Sequence, residues 1–368
     1  MSVVGVFSIG RWWLAVAVIL LCLTMGWGQP VHGQQQASAP QGLRVLPEVF
    51  RRAEQAVRPA LVTIESFGGV SAVAGKIGGI RSRGEGNTTG VMISPDGYVV
   101  TSTFNFITRP PVITVITSDG KRRVATLLGQ DNIRKICLLK LDDVQDMPVP
   151  EMIDTEQVSV GQWSLSLGVG YGDLSPAMSI GIISAKNRVG GRAIQTDANI
   201  SPANYGGPLI DLKGRVIGIC VPLSPGSQSV GAGVEWYDSG IGFAIPLANA
   251  KDLIERLKNG ETIEPGFLGI QSKPNERGEG IEVVEVLPNT GAQRAKIVKG
   301  DVITKFNDKP VANPVELGTM ISRQESGDKV TLMIRGIGEE KAFPVDVQLG
   351  SAPAPKGKVK PLEPPPIR

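Results

Sequence analysis

The chain has 368 residues, 41% of them hydrophobic and 20% charged, with a formal net charge of +3. That composition leaves room for two or three globular domains and excludes a chain that is disordered throughout. The basic residues are scattered, with no dense run and no interleaved aromatics, so no nucleic-acid partner is expected.

In chain order, Arg11 precedes an apolar run from Trp12 to Leu23. A run of about 12 residues is shorter than the roughly 20 that span a bilayer. Val31 and Gly33 supply small residues ahead of Gln34, so residues 1–33 read as an export signal cleaved before Gln34. An uncleaved membrane anchor is the alternative. Either way the body of the protein is expected outside the cytoplasm, periplasmic or extracellular. His32, the only histidine in the sequence, falls inside this segment. The chain that follows can build no Ser-His or Cys-His catalytic pair and no histidine-ligated metal site. No cofactor is expected.

Residues 34–57 read as a polar linker followed by a helix, "LPEVFRRAEQAV", with Pro47 at its start and Pro59 ending it. "ALVTIES" opens the strands. Between Gly68 and Gly90 eight glycines mark a surface loop, and no G-x-x-x-x-G-K-[ST] phosphate cradle occurs. "GVMISPDGYVVTS" is a hairpin around Pro95-Asp96-Gly97, and "VITVITSDGKRRVATLLGQD" a second around Asp119-Gly120. "ICLLKLD", "GQWSLSLGV", "MSIGIISAKNR" and "GRVIGICVPL" are further strands. Short strands at this spacing, with 46 glycines and 27 prolines, predict an all-β barrel or sandwich. Cys137 and Cys220 lie in apolar runs and read as buried thiols, with a disulfide between them as the sharper alternative. A helix from Leu247 to Lys258, closed by Gly260, ends a domain over 58–262.

A smaller domain follows over 263–350. Its elements are strands "GFLGIQSK" and "GIEVVEVL", a short helix at "GAQRAKIV", the hairpin "GDVITKFNDKPV", a second helix, and strands "KVTLMIRG" and "KAFPVDVQL". The second helix carries its own start signal: Asn313 as N-cap, Pro314 at the first helical position and Glu316 completing a capping box. Residues 351–368, "SAPAPKGKVKPLEPPPIR", are Pro- and Lys-rich and read as a disordered tail.

The phrases "TGVMISPDGYVVTS", "LLKLDD", "VGQWSLSLGVGYG", "IGIISAKNR", "IQTDANISPANYGGPLIDLKGRVIGI" and "GIGFAIPL" come in an order and spacing that resembles the trypsin-like serine proteases of the HtrA/DegP group. "GFLGI" and "KGDVITKFND" resemble the PDZ domain that follows in that group. The resemblance implies a mainly β protein: two six-stranded barrels with a cleft between them, then a PDZ module, a small β-sandwich-like fold with two helices. It also locates the catalytic positions. Phe104 stands where the histidine is expected, Lys135 where the aspartate is expected, and Tyr205 where the serine is expected, with Ala203 and Asn204 in the oxyanion loop. A serine hydroxyl needs a base within hydrogen-bond reach, and the base needs an orienting carboxylate. Phe104 moves no proton, Lys135 inverts the expected charge, and a tyrosine phenol has a pKa near 10. No intact catalytic set is therefore expected, and the resemblance implies a pseudoprotease.

PDZ domains take an extended peptide as an added strand, its terminal carboxylate on loop amides and its last side chain in an apolar pocket. By resemblance the loop is Gly266-Phe267-Leu268-Gly269, the edge strand begins at Ile270 and Gln271, and Val315, Met320 and Ile321 line the pocket. The expected partners are peptides or protein C-termini and unfolded or envelope proteins. The group's trimers add, by analogy, a homo-trimer or co-assembly with an active sister protease. Two other readings stay open: a serine-type endopeptidase using Ser201 or Ser164 with a non-histidine base, and a structural protein of the cell envelope.

Overall fold

The computed structural model describes residues 41–67, 87–106, 110–170, 175–223, 239–276 and 278–353. The expected export signal, the glycine-rich loop from 68 to 86 and most of the tail lie outside them. By backbone contacts the chain divides into Met1–Glu48 and Val49–Arg368.

The first helix, α1, runs Gln41–Val57 and keeps Pro47 inside it rather than at its start. Pro59 sits in a short 3-10 turn, Arg58–Ala60, that ends the helix as expected. From Val49 on, the apolar face of α1 is buried at Phe50, Ala53 and Val57, and the Phe50 ring lies 5.8 Å from that of Trp163.

Six strands follow: β1 Leu61–Phe67, β2 Thr88–Met92, β3 Tyr98–Ser102, β4 Val112–Ile116, β5 Arg122–Asp131 and β6 Ile136–Leu141. Pairing runs β5-β4-β1-β2-β3-β6, and β6 returns to β5, closing a barrel. Both expected hairpins form, β2–β3 and β4–β5, with Gly97 and Gly120 at positive φ in their turns. Inward residues such as Val62, Ile64, Met92, Val99, Val115 and Leu139 fill the barrel.

The second barrel uses β7 Trp163–Gly168, β8 Ala177–Asn187, β9 Ala193–Thr196, β10 Pro208–Ile210, β11 Val216–Val221 and β12 Gly242–Ile245. It closes in the order β10-β11-β12-β9-β8-β7 around Ile153, Ile183, Ile194, Leu209 and Ile217. Cys137 and Cys220 are free, buried thiols, one in each barrel core.

The next helix, α2, begins at Lys251, four residues later than expected, because Leu247–Ala250 form a turn; Gly260 at positive φ follows its end. β13, Thr262–Ile263, then pairs parallel with β5 at Gln130 and Asp131. The chain leaving the barrels is thus laid along the first of them before it enters the last sheet.

That sheet orders β14 Ile270–Pro274, β15 Ile281–Val286, β16 Val302–Phe306, β18 Lys329–Arg335 and β19 Phe343–Gln348, with β17 Lys309–Pro310 paired to β16. The stretch Gly266–Gly269 is loop, so the strand expected at "GFLGIQSK" starts at Ile270. Two helices, α3 Gly291–Arg294 and α4 Pro314–Ser322, complete the domain. Asn313 caps α4 by accepting from the Glu316 amide at 2.9 Å, a cap worth about 1 kcal/mol. The Glu316 carboxylate accepts from Ala312, one residue before the cap. Leu317 and Ile321, one turn apart, bury against Leu268, Val283, Ile303 and Leu332. Among the described residues no helix is long and apolar enough to cross a membrane.

Candidate functional site

Two places stand out: the junction of the barrels, where the residues at the expected catalytic positions meet, and the edge of the last sheet.

At the junction, Phe104 sits in a 3-10 turn, Thr103–Phe106, directly after β3. Tyr205 sits in the turn before β10. The two rings meet edge to face, centroids 5.1 Å apart and planes at 75°. Tyr205 is 2% exposed and Phe104 8% exposed. The third position behaves differently. Lys135 joins the other two through its backbone: its carbonyl accepts from the Thr103 amide at 3.0 Å and from the Ser102 hydroxyl at 3.1 Å. It adopts φ 61, a left-handed conformation unusual for a lysine. Burial pulls its ammonium below the usual lysine range, partly offset by Glu264 and Asp131. Asp131, the nearest carboxylate in sequence, accepts from the amides of Ile133 and Arg134 and pairs with the Arg134 guanidinium at 2.6 Å.

Ala203 and Asn204, the expected oxyanion-loop positions, are as constrained as the rings. The amides of Asn204 and Tyr205 both donate to the Ser201 carbonyl, at 2.8 and 3.1 Å. The Ala203 carbonyl accepts from Thr89 Oγ1 at 2.8 Å, and the Tyr205 carbonyl from Asn105 Nδ2 at 3.2 Å. Gly206 has φ 87, and a Cβ there would overlap Thr101 Oγ1 and the Thr89 carbonyl. Only glycine fits that turn. Thr89, Thr101 and Asn105 were missed in the sequence; the available signal was a lone polar Asn105 between Phe104 and Phe106.

The serines offered as substitute nucleophiles are engaged. Ser164 is fully buried and bonded to Thr196 Oγ1 at 2.9 Å. Ser201 donates to Asn204 Oδ1 at 2.8 Å. Among the described residues no group of three or more His, Cys, Asp or Glu is placed to hold a metal ion.

At the last sheet, β14 pairs with β15 alone among the described residues, and its other edge lies beside α4. Ile270 and Met320 are partly buried against the core, Ile321 is buried, and Val315 is 69% exposed. The loop splits in two. The Gly266 and Phe267 amides donate to the Gln324 and Gly350 carbonyls, both at 2.8 Å, and Leu268 enters the core. The amides of Leu268 and Gly269 donate to no backbone carbonyl among the described residues. Gly269 has φ 85, and a Cβ there would overlap Thr290.

Residues 88–219 match the trypsin-like peptidase domain family, and residues 266–347 match the PDZ domain family. The chain is HtrA/DegP-like. A probable periplasmic serine endoprotease, DegP-like, of Rhizobium meliloti is 32% identical over 295 residues, which is 75% of this chain and 55% of that protein. The periplasmic pH-dependent serine endoprotease DegQ of Escherichia coli is 32% identical over 76% of this chain and 63% of its own length. The chain spans about half the length of the first curated relatives it matches. Among solved structures, the serine endoprotease of Yersinia pestis superposes with a TM-score of 0.60 at 28% identity, over 83% of this HtrA-like chain and 98% of that one. The HtrA-type protease AlgW with a decapeptide does so with a TM-score of 0.60 at 25% identity, over 83% and 99%.

Proposed function

We propose that this HtrA-like chain is an exported pseudoprotease: it binds peptides, exposed C-termini or unfolded partner proteins through its PDZ domain and does not hydrolyse them. In the envelope it serves protein quality control or regulates an active sister protease. The observation that carries this reading is the contact between Phe104 and Tyr205, at the positions the resemblance assigns to base and nucleophile. Two packed rings, one of them a benzene ring that can accept no proton from the other's phenol, fill the space where an Oγ and an imidazole would have to meet. Further support comes from the sequence, which holds no histidine after His32, and from Lys135, whose charge is opposite to the one that orients a base. Triad members act as a unit, so loss of the nucleophile or of the base alone costs about as much as loss of all three. The β14 edge and the Leu268–Gly269 amides, which have no backbone partner among the described residues, support peptide addition as a strand. The relatives named periplasmic support the exported location.

The test is labelling of the full chain by a fluorophosphonate probe, with casein cleavage measured in parallel. The expected result is neither. Stoichiometric labelling overturns the proposal.

A second reading, a serine-type endopeptidase with a non-standard site, is favoured by the names of the relatives, which are serine endoproteases. It needs Ser201 or Ser164 as nucleophile. The burial of Ser164 and the Ser201–Asn204 bond weigh against it, and mapping any probe adduct to one of these serines would establish it.

A further inference from the structure

We infer that the loop carrying Tyr205 is held shut by its backbone, with Thr89 and Asn105 as positioning residues, so that restoring a nucleophile and a base would not restore hydrolysis. This rests on the reading that the natural chain is catalytically silent.

Acyl transfer by a trypsin-type loop needs two backbone amides converging on the developing oxyanion, those of the nucleophile and of the residue two before it. Here the Tyr205 amide donates back to the Ser201 carbonyl at 3.1 Å, in the same turn as the Asn204 amide at 2.8 Å. A donor committed four residues back does not reach an oxyanion.

The turn is also tethered across the junction to the first barrel. The Ala203 carbonyl accepts from Thr89 Oγ1, whose lone pair in turn accepts the Val169 amide at 2.8 Å. A carbonyl can only accept, so the Thr89 hydroxyl hydrogen is committed to Ala203. The Tyr205 carbonyl accepts from Asn105 Nδ2, which also donates to Thr101 Oγ1 at 2.9 Å; Thr101 then donates to the Thr89 carbonyl at 2.6 Å. Thr89, Thr101, Asn105, Ala203 and Tyr205 are all buried, so water does not compete for these bonds.

One feature shows which way the Asn105 amide must face. Its Oδ1 is buried without a hydrogen-bond partner among the described residues. Turning the amide over would set that oxygen against the Tyr205 carbonyl, acceptor to acceptor. In the orientation that keeps the bond to the loop, Asn105 Nδ2 faces the Tyr205 carbonyl and Thr101 Oγ1. None of these contacts involves the side chain of Phe104, Lys135 or Tyr205, so replacing those side chains leaves the lock in place.

The test uses the full chain in two sets of substitutions. The first is Phe104→His, Lys135→Asp and Tyr205→Ser together. The second adds Asn105→Val and Ala203→Gly, which cut one tether and free the loop backbone. Fluorophosphonate labelling is expected to be about 100-fold faster in the five-position variant than in the three-position one, the size of effect of one oxyanion donor. Rapid labelling of the three-position variant, or no gain in the five-position one, overturns the inference. A measurement on the natural sequence guards against variants that do not fold. The Tyr205 amide is expected to resist hydrogen exchange, and Asn105→Ala to speed its exchange at least about tenfold while the Cys220 amide stays protected. An unprotected Tyr205 amide in the natural chain also overturns the inference. Labelling of the unsubstituted chain is a separate outcome and counts against catalytic silence instead.

Discussion

The rings of Tyr205 and Phe104 meet in a T-shaped contact, centroids 5.1 Å apart, and this contact joins the turn after β3 of one barrel to the turn before β10 of the other. Nearly complete burial makes it part of the packing between the barrels. Tyr205→Ser removes the ring and leaves a cavity. The expected loss of stability is about 3 kcal/mol, in the range for truncating a buried aromatic. A double-mutant cycle with Phe104→Leu and Tyr205→Leu should give a coupling of roughly 0.5–1.5 kcal/mol. Urea unfolding of the four proteins checks both figures.

Gly206 tests whether the loop is still needed as a shaped turn. Its φ of 87 is costly for any other residue, and a Cβ would overlap Thr101 Oγ1 and the Thr89 carbonyl. Gly206→Ala should therefore destabilise by about 3 kcal/mol or more, combining backbone strain with overpacking. Thermal unfolding measures it. A change within experimental error would mean the turn rearranges freely.

Lys135 gives a pH prediction. Its folded-state pKa is depressed, because burial disfavours the ammonium more than Glu264 and Asp131 support it. The sign follows from linkage. Below the folded pKa the lysine is charged in both states, and the fold bears the full burial penalty. Between the folded pKa and the unfolded value near 10.4 the unfolded chain binds more protons, so stability rises with pH. Lys135→Met removes the penalty. It should raise the unfolding midpoint at pH 7, and the difference from the natural chain should narrow as pH rises toward about 10. A gap that widens with pH refutes this.

Cys137 and Cys220 are 0% exposed, and burial pushes both thiols well above their ordinary range. Thiolate is the reactive species, so neither should react with a disulfide reagent in the native state. Both should react at the rate of unfolding when urea is added. Counting thiols from Cys137 and Cys220 with and without urea separates this from a disulfide, in which neither of the two would react in either case.

The groove prediction needs a position that can be changed without harm to the fold. Gly269 is unsuitable, since any side chain there meets Thr290. Val315 is exposed on α4 and suits the purpose. Val315→Asp should shift stability by no more than about 0.5 kcal/mol. It should weaken binding of a peptide with a free, apolar C-terminus by about tenfold or more, equivalent to roughly 1.4 kcal/mol. Fluorescence anisotropy with a labelled peptide reads this. Unchanged affinity would remove Val315 from the pocket.

The sequence determined the elements whose signals are local. Asn313, Pro314 and Glu316 announced α4; Asp119-Gly120 and Pro95-Asp96-Gly97 placed two hairpins; alternating apolar residues gave the strands of three cores. The absence of histidine after His32 is likewise a fact of sequence alone. It could not show that Pro47 lies within a helix or that α2 begins at Lys251, because helix ends are fixed by capping and packing as much as by propensity. Tertiary structure alone brought Phe104 into contact with Tyr205, 101 positions further along the chain, and threaded Thr89, Thr101 and Asn105 into one buried chain of hydrogen bonds. Likewise, only the fold showed that the Gly266 and Phe267 amides are occupied while β14, among the described residues, pairs on one edge alone. A hydrogen bond between residues 100 apart leaves no periodicity in sequence; it exists only once two closed barrels set their turns face to face.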